Sequence, residues 1–358
     1  MNVLLRRAAI ELWNSSECLK LPGSLCTASL GAMVWPRGLT QLALCRVFDV
    51  PIQDVSWPIR LEGLALGKFN QAIAGVVWPA FLKQLSVDDF NQPLEGVLWP
   101  ASRQQLSFGN DFNQPLEGVV WPASLEQLSF GTTFNQPIVG VLLPASLQQL
   151  SFGWEFNQPI AEVVWPASLQ QLSLGWEFNQ LTAEDLWPAS LQQLSFGNDF
   201  NQRMEGVVFP SSLQQLSFGS SFNQPIAGVL CATSLHKLAF GSKFNQPLAG
   251  VMCPATLQQL SFGILFNQPM EGVVWPSSLQ QLSFGSRFRL QSAYCGSRVA
   301  GVPATAVVRD DFNQRIAGVM WPASLEEVSF GSGFNQPLPR VTWPRSLQRL
   351  IRGGERLL

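Results

Sequence analysis

The chain has 358 residues, 46% of them hydrophobic and 13% charged, and a formal net charge of −2. So apolar a chain has to bury a core, which excludes disorder; the near-neutral charge, with no recurring Lys/Arg stripe, argues against nucleic acid as a partner. The length exceeds that of a usual single-core domain, a ceiling that a solenoid escapes because its core grows along one axis.

Residues 1–34 precede the first regular unit and are expected to cap it, with a helix through Val3 to Leu12, because an open solenoid end exposes its core. Arg6, Arg7 and Glu11 interrupt the apolar residues there before a secretory h-region accumulates. No run reaches the ~18 apolar residues that suggest a membrane span. The expectation is a soluble cytoplasmic protein with no membrane association. Cysteines stand at Cys18, Cys26, Cys45, Cys231, Cys253 and Cys295 without the spacing of a disulfide scaffold, and are expected to be small core residues. Cys231 and Cys253 share one repeat position in consecutive units, about 4.8 Å apart and so within disulfide reach. Two free thiols in a slot that tryptophan usually fills is the favoured alternative.

From Phe90 the triplet Phe-Asn-Gln returns at Phe112, Phe134, Phe156, Phe178, Phe200, Phe222, Phe244 and Phe266, each 22 residues after the last. A fixed period in this range means one small unit stacked on itself. The unit reads F-N-Q-P-[LI]-x-G-V-V-W-P-A-S-L-Q-Q-L-S-F-G-x-x. Leu147, Leu150 and Phe152 form an L-x-x-L-x-F segment, whose last alternation marks a short strand with one buried face. Gly153 ends the strand, where a positive φ would allow a tight corner. Pro137 and Pro144 exclude the return arm from a central ladder, and an arm with two prolines and a glycine is too short and too poor in propensity for a helix. On the arm, Ile138, Val141 and the Trp position point inward.

The fold class is therefore a repeat solenoid, mainly β, with one short parallel strand per 22-residue coil and irregular return arms, over residues 35–288 and again over 311–358. Strand segments begin near Leu39, Leu61, Leu82, Arg103, Leu125, Leu147, Leu169, Leu191, Leu213, Leu235, Leu257, Leu279, Leu325 and Leu347, with a fifteenth around Thr305. The Asn of each triplet, at Asn91, Asn113, Asn135, Asn157, Asn179, Asn201, Asn223, Asn245 and Asn267, is expected to form a buried ladder bonded to the backbone of adjacent coils. That role is structural. The C-terminal IRGGERLL looks short for a cap, so the last coil is expected to fray or to pair with something.

P-A-S-L-Q-Q-L-S-F-G followed by x-x-F-N-Q-P resembles the FNIP repeat, a relative of the leucine-rich repeat, over Trp35 to Leu350. The resemblance implies a leucine-rich-repeat-like solenoid with a parallel sheet on one face and no established biochemical activity. In the general form L-x-x-L-x-L-x-x-N the Asn stands three residues after the last apolar strand position; here Asn157 stands five after Phe152, which makes a longer corner.

Between Phe288 and Phe312 the motif is lost. The string QSAYCGSRVAGVPATAVVR, from Gln291 to Arg309, can be back-translated and read one nucleotide later as NQRIAGVVWPASLQQLSFG, a nearly perfect copy of 19 residues. Residues 289–310 are a frameshifted repeat, expected to be an irregular insertion that interrupts the ladder.

Catalysis needs convergent titratable groups, and the chain has one histidine, His236, at a repeat Gln position beside Lys237. No metal-ligand spacing surrounds it, Ser151 and Ser195 belong to a hydroxyl row, and the glycines occur singly. Neither an enzyme nor a cofactor is expected. The most variable positions are the two before each Phe, and they should line a rim of the sheet. Trp154-Glu155 and Trp176-Glu177 would stand on neighbouring coils with Asp111 and Asp199 near them, a protein-binding hot spot; the bland alternative is recent duplication of WEFNQ. The reading is a noncatalytic protein–protein interaction scaffold that works through the sheet face and this rim, its partner and oligomeric state left open. The alternatives are a binder of a repetitive surface, glycan or ice, if exported, and a tandem array without a dedicated function.

Overall fold

Three residues suffice for most strands because only the Leu of Gln-Leu-Ser has to face inward, while the flanking Gln and Ser face out. The computed structural model describes residues 18–21, 30–180, 187–226, 234–285 and 312–358. The chain divides into two compact units, Met1–Gln170 and Gln171–Leu358. Each is a β-solenoid of parallel strands one coil apart and, among the described residues, contains no helix.

The first unit carries β1 (Cys18–Lys20), β2 (Gln41–Ala43), β3 (Gly63–Lys68), β4 (Gln84–Asp88), β5 (Gln105–Phe108), β6 (Gln127–Ser129) and β7 (Gln149–Ser151), neighbours in chain order. Leu42, Leu64, Leu85, Leu106, Leu128 and Leu150 lie in register as one inward column. β1 lies inside the segment that the sequence assigns to a cap, and it pairs with β2 through Leu19 and Leu42. The ladder thus starts before residue 35; the helix expected over residues 3–12 lies outside the described residues.

The second unit carries β8 (Gln171–Ser173), β9 (Gln193–Ser195), β10 (Gln215–Ser217), β11 (Lys237–Ala239), β12 (Gln259–Ser261), β13 (Gln281–Ser283), β14 (Glu327–Phe330), β15 (Arg349–Arg352) and β16 (Glu355–Arg356). β13 pairs directly with β14, Gln281 with Glu327 and Leu282 with Val328. The Asn313 amide likewise donates to Asn267 Oδ1 at 3.0 Å across 46 residues of sequence. Residues 289–310 fall outside the described residues, as does the strand expected around Thr305, but the expected interruption of the ladder does not occur: the stack closes past them. At the other end, β16 turns back antiparallel on β15, through Gly353 and Gly354 at φ of 60° and 88°. That two-glycine turn matches the twist of a hairpin, and it covers the last strand.

Two aromatic residues per coil build the core. The corner after Phe152 brings Phe156 back onto it, ring centroids 3.9 Å apart. Phe130, one coil earlier, stacks on Phe152 at 5.8 Å. Each such contact adds about 0.5–1.5 kcal/mol beyond its buried area. The return arm is a pair of β-turns: Val141 N–H bonds Ile138 O at 3.2 Å, and Leu147 N–H bonds Pro144 O at 3.0 Å.

The positive φ that the sequence suggests for Gly153 belongs to the other glycine of the coil, Gly140. Gly140, in the first arm turn, has φ of 80° with open space around it. Gly153 is not among the residues of positive φ; a Cβ there would land on the Gly131 carbonyl of the preceding coil. The corner glycine is required by close stacking of coils, not by its own torsion.

Candidate binding surfaces

The Asn column accounts for its own polar groups. Asn135 and Asn157 donate their amides to the Oδ1 atoms of Asn113 and Asn135, each at 2.9 Å, and Gln158 Nε2 adds a bond to Asn135 Oδ1 at 3.0 Å. In the second unit Asn223, Asn245 and Asn267 repeat the bond at 2.8 to 2.9 Å. Asp49 supplies the same acceptor to Asn70, so the column needs a carbonyl-like oxygen more than an amide. Most of it is half-buried, and Asn201 is exposed: it lies at the coil edge instead of inside the core, because Phe takes the interior position beside it.

A second polar column is absent from the sequence reading. Ser146 and Ser168, of the P-A-S motif, donate to the carbonyls of Leu125 and Leu147 one coil back, at 2.7 and 2.6 Å. The recurrence of Ser three residues after the Trp position was its signal. These two columns hold coils together where no strand ladder does.

The rim is fixed by the backbone. Glu155 N–H bonds Thr132 O at 2.8 Å in the first unit, and Asp199 N–H bonds Trp176 O at 2.9 Å in the second. Trp154 and Trp176 remain 39% and 38% exposed; they fall in different units, one in each. Trp176 and Asp199 are on adjacent coils. With Asn70, Asp89, Asn91, Asn113 and Thr133, Asp111 lines a shallow open groove. Beside that groove, burial and the Asp89 charge raise the pKa of Asp88.

The return arm carries a surface that the sequence reading overlooks. In Val141-Leu142-Leu143 the first residue is buried and Leu142 faces out. Its equivalents in the first unit, Val77, Leu98, Val120 and Val164, are likewise exposed, the five spanning 77 to 85%. The signal was there in the alternation: an apolar residue between two inward ones must face solvent.

His236 is half-buried and bonds the backbone of neighbouring coils through its own N–H and C=O. Cys253 carries a free thiol whose pKa burial raises to about 11; Cys231 lies outside the described residues. Cys45, expected as a small core residue, is instead disulfide-bonded. Among the described residues no cluster of His, Cys, Asp and Glu could hold a metal ion, and no helix is long and apolar enough to cross a membrane.

Residues 90–133, 112–155, 134–175, 156–199 and 200–230 match the FNIP Repeat. Among solved structures the chain is similar to CroV588, a circular leucine-rich-repeat protein, with 38% identity and a TM-score of 0.70 over 87% of this chain and 46% of that one. The chain thus spans about half the length of CroV588. It is also similar to an internalin (inlF) from Listeria monocytogenes, at 16% identity and a TM-score of 0.48, over 70% of this chain and 75% of that one. No curated protein matches it.

Proposed function

Because the chain is a protein of tandem FNIP repeats with a leucine-rich-repeat-like fold, we propose that it is a noncatalytic scaffold that binds a protein partner through the outer face of its sheet and the variable rim. Stacked repeats present long regular surfaces, and such folds commonly serve interaction. The observation that carries the reading is Trp154 and Trp176, 39% and 38% exposed at rim positions where most of the other coils have Asn, Thr or Ser and one has Ile264. Exposed Trp is the residue type most enriched among binding hot spots. The Gln/Ser strand face beside it is uncharged and supplies hydrogen-bond groups without the desolvation cost of ions. This reading places the protein in the cytoplasm.

Affinity capture from the native cell tests it. The whole chain should retain a defined partner that the Trp154→Ala/Trp176→Ala variant loses, while the two melt within about 1 °C of each other, as surface substitutions do. An unchanged set of captured proteins would sink the proposal.

The disulfide at Cys45 favours a second reading, an exported protein whose evenly spaced Gln and Ser columns bind a repetitive surface such as a glycan or ice, since disulfides persist in oxidising compartments. Retention on polysaccharide, or inhibition of ice recrystallisation, by the oxidised protein separates this reading from the first.

A further inference from the structure

The residue before the Trp position, which faces outward wherever it is described, is apolar far more consistently than an exposed position requires. It is Val34, Ser56, Val77, Leu98, Val120, Leu142, Val164, Leu186, Val208, Leu230, Met252, Val274, Met320 and Thr342, so only two of fourteen coils place a polar residue there. Preference for extended backbone would account for Val but not for Leu98, Leu142 or Met252, which are not β-branched. In the first unit Val77, Leu98, Val120, Leu142 and Val164 are 77 to 85% exposed, on five consecutive coils. At about 4.8 Å per coil they form an unbroken apolar line about 19 Å long, of the contiguous kind that marks an interaction site.

The charge around that line is one-sided. Residues 70–169 contain two basic residues against eight acidic ones. Neither basic residue reaches the arm surface: Lys83 is paired with Glu62 at 3.0 Å, and Arg103 is buried. Glu95, Glu117 and Glu162 are exposed on the arm two to three residues before Leu98, Val120 and Val164. The second unit lacks this asymmetry, since its arm carries exposed Arg203 and Arg315. An anionic membrane would be repelled by such a surface, and so would a second copy laid upon it in the same way.

We propose that the aliphatic column on the return arm of the first unit docks a cationic amphipathic helix of a partner protein, its apolar row lying along Val77 to Val164 and its Lys or Arg residues reaching Glu95, Glu117 and Glu162. The dimensions agree. An apolar row on a helix advances about 5.4 Å per turn, and about 13 residues span 19 Å. The inference rests on the reading of the chain as a protein-binding scaffold, but uses none of the residues of the sheet face or rim.

The test uses the full chain and two synthetic amphipathic peptides of fourteen residues with the same Leu pattern, one with Lys and one with Glu on the polar face. The Leu/Lys peptide should bind with a Kd on the order of 10 µM, weakening severalfold between low and physiological salt because rim charges are screened. Val120→Ser/Leu142→Ser should weaken it at least tenfold with unchanged melting, and Glu95→Lys/Glu117→Lys should transfer preference to the Leu/Glu peptide. Trp154→Ala/Trp176→Ala should leave peptide binding intact, so that failure of the rim and failure of the column are separate results. The proposal is overturned if both peptides bind alike, if Val120→Ser/Leu142→Ser has no effect, if that variant instead dissociates a wild-type dimer in sedimentation, or if anionic vesicles bind the column in place of the peptide.

Discussion

The two sides of each coil solve the same stacking problem differently. On the strand side the coils are tied directly, backbone to backbone, with Leu over Leu and Ser over Ser, and the corner glycines approach so closely that there is no room for a side chain. On the arm side each coil closes its own β-turns, and it is side chains, Asn, Gln and Ser by hydrogen bonds and Trp78 on Trp99 by stacking, that reach the next coil. The arm also tolerates loose ends: indole N–H groups such as those of Trp78, Trp99 and Trp121 are buried without an acceptor. Constraints on the strand side are therefore shared between coils, and those on the arm are mostly paid within one. A substitution on the strand side should propagate; one on the arm should stay local.

The two glycines of one coil give the strongest way to break that contrast. Gly153→Ala puts a Cβ into the Gly131 carbonyl, a backbone atom that cannot swing aside, and should cost about 4 kcal/mol or more, in the range reserved for backbone clash and overpacking. Gly140→Ala meets no atom within 4 Å, and its φ of 80° should cost only about 1–2 kcal/mol of torsional strain. Urea unfolding of both variants measures the difference. Equal losses would show that corner and arm are constrained alike.

How legible this was follows from what a sequence pattern encodes. Period and alternation fixed the strands, which begin two residues beyond each of the fourteen expected positions, as Gln149 does after Leu147. They also placed Phe152 and Phe156 inside and Trp154 at the surface. Recurrence alone could not tell why a residue recurs: Gly140 and Gly153 are both repeat positions, one held for torsion and one for space. The exposure of the apolar Leu142 went unread, and continuity of sequence misled at residues 289–310, since neighbours in a stack need not be neighbours in the chain. At the rim, aligned columns say which positions correspond and not what lies between them, so the groove that Asp111 shares with Asp89 was not legible.

Arg103 sharpens the comparison at the seam where arm turns into strand. It occupies the inward position that Leu82 and Leu125 fill in the adjacent coils, fully buried, with Nε and both terminal nitrogens lacking a hydrogen-bond partner. Its guanidinium lies 6.0 and 5.9 Å from the ring centres of Trp78 and Trp99. An unpaired buried charge costs about 3–5 kcal/mol, and cation–π contacts return about 1–2 kcal/mol when desolvated, so the charge is a net loss. Arg103→Leu should therefore stabilise the chain by about 2–3 kcal/mol, the difference of those terms. Burial lowers the Arg103 pKa to about 9, well below the ordinary guanidinium range. Between that value and the ordinary one the unfolded chain binds the proton and the folded chain does not, so the penalty is full below about pH 9 and is relieved as pH rises above it. The gain from Arg103→Leu should accordingly shrink from pH 8 to pH 10.5; a constant difference would mean that packing, not charge, sets it.

Deleting residues 286–309 tests whether strand-side continuity is already complete without them. The deletion joins Gly285 to Asp310-Asp311-Phe312, which restores the G-x-x-F spacing found in Gly109-Asn110-Asp111-Phe112. β13 and β14 are paired in the intact chain, Phe284 stacks on Phe312 at 4.2 Å, and Asn267 accepts from Asn313, so no contact between the described coils has to change. Shortening the connection from 26 residues to two removes closure entropy at about 0.6 kcal/mol per halving, a gain of up to about 2 kcal/mol. The shortened chain should thus melt at the same temperature or somewhat higher. A lower melting temperature with a lower urea m-value would instead show that the deleted residues bury surface as a coil of the stack, and that the direct pairing of β13 with β14 is not the arrangement that prevails in solution.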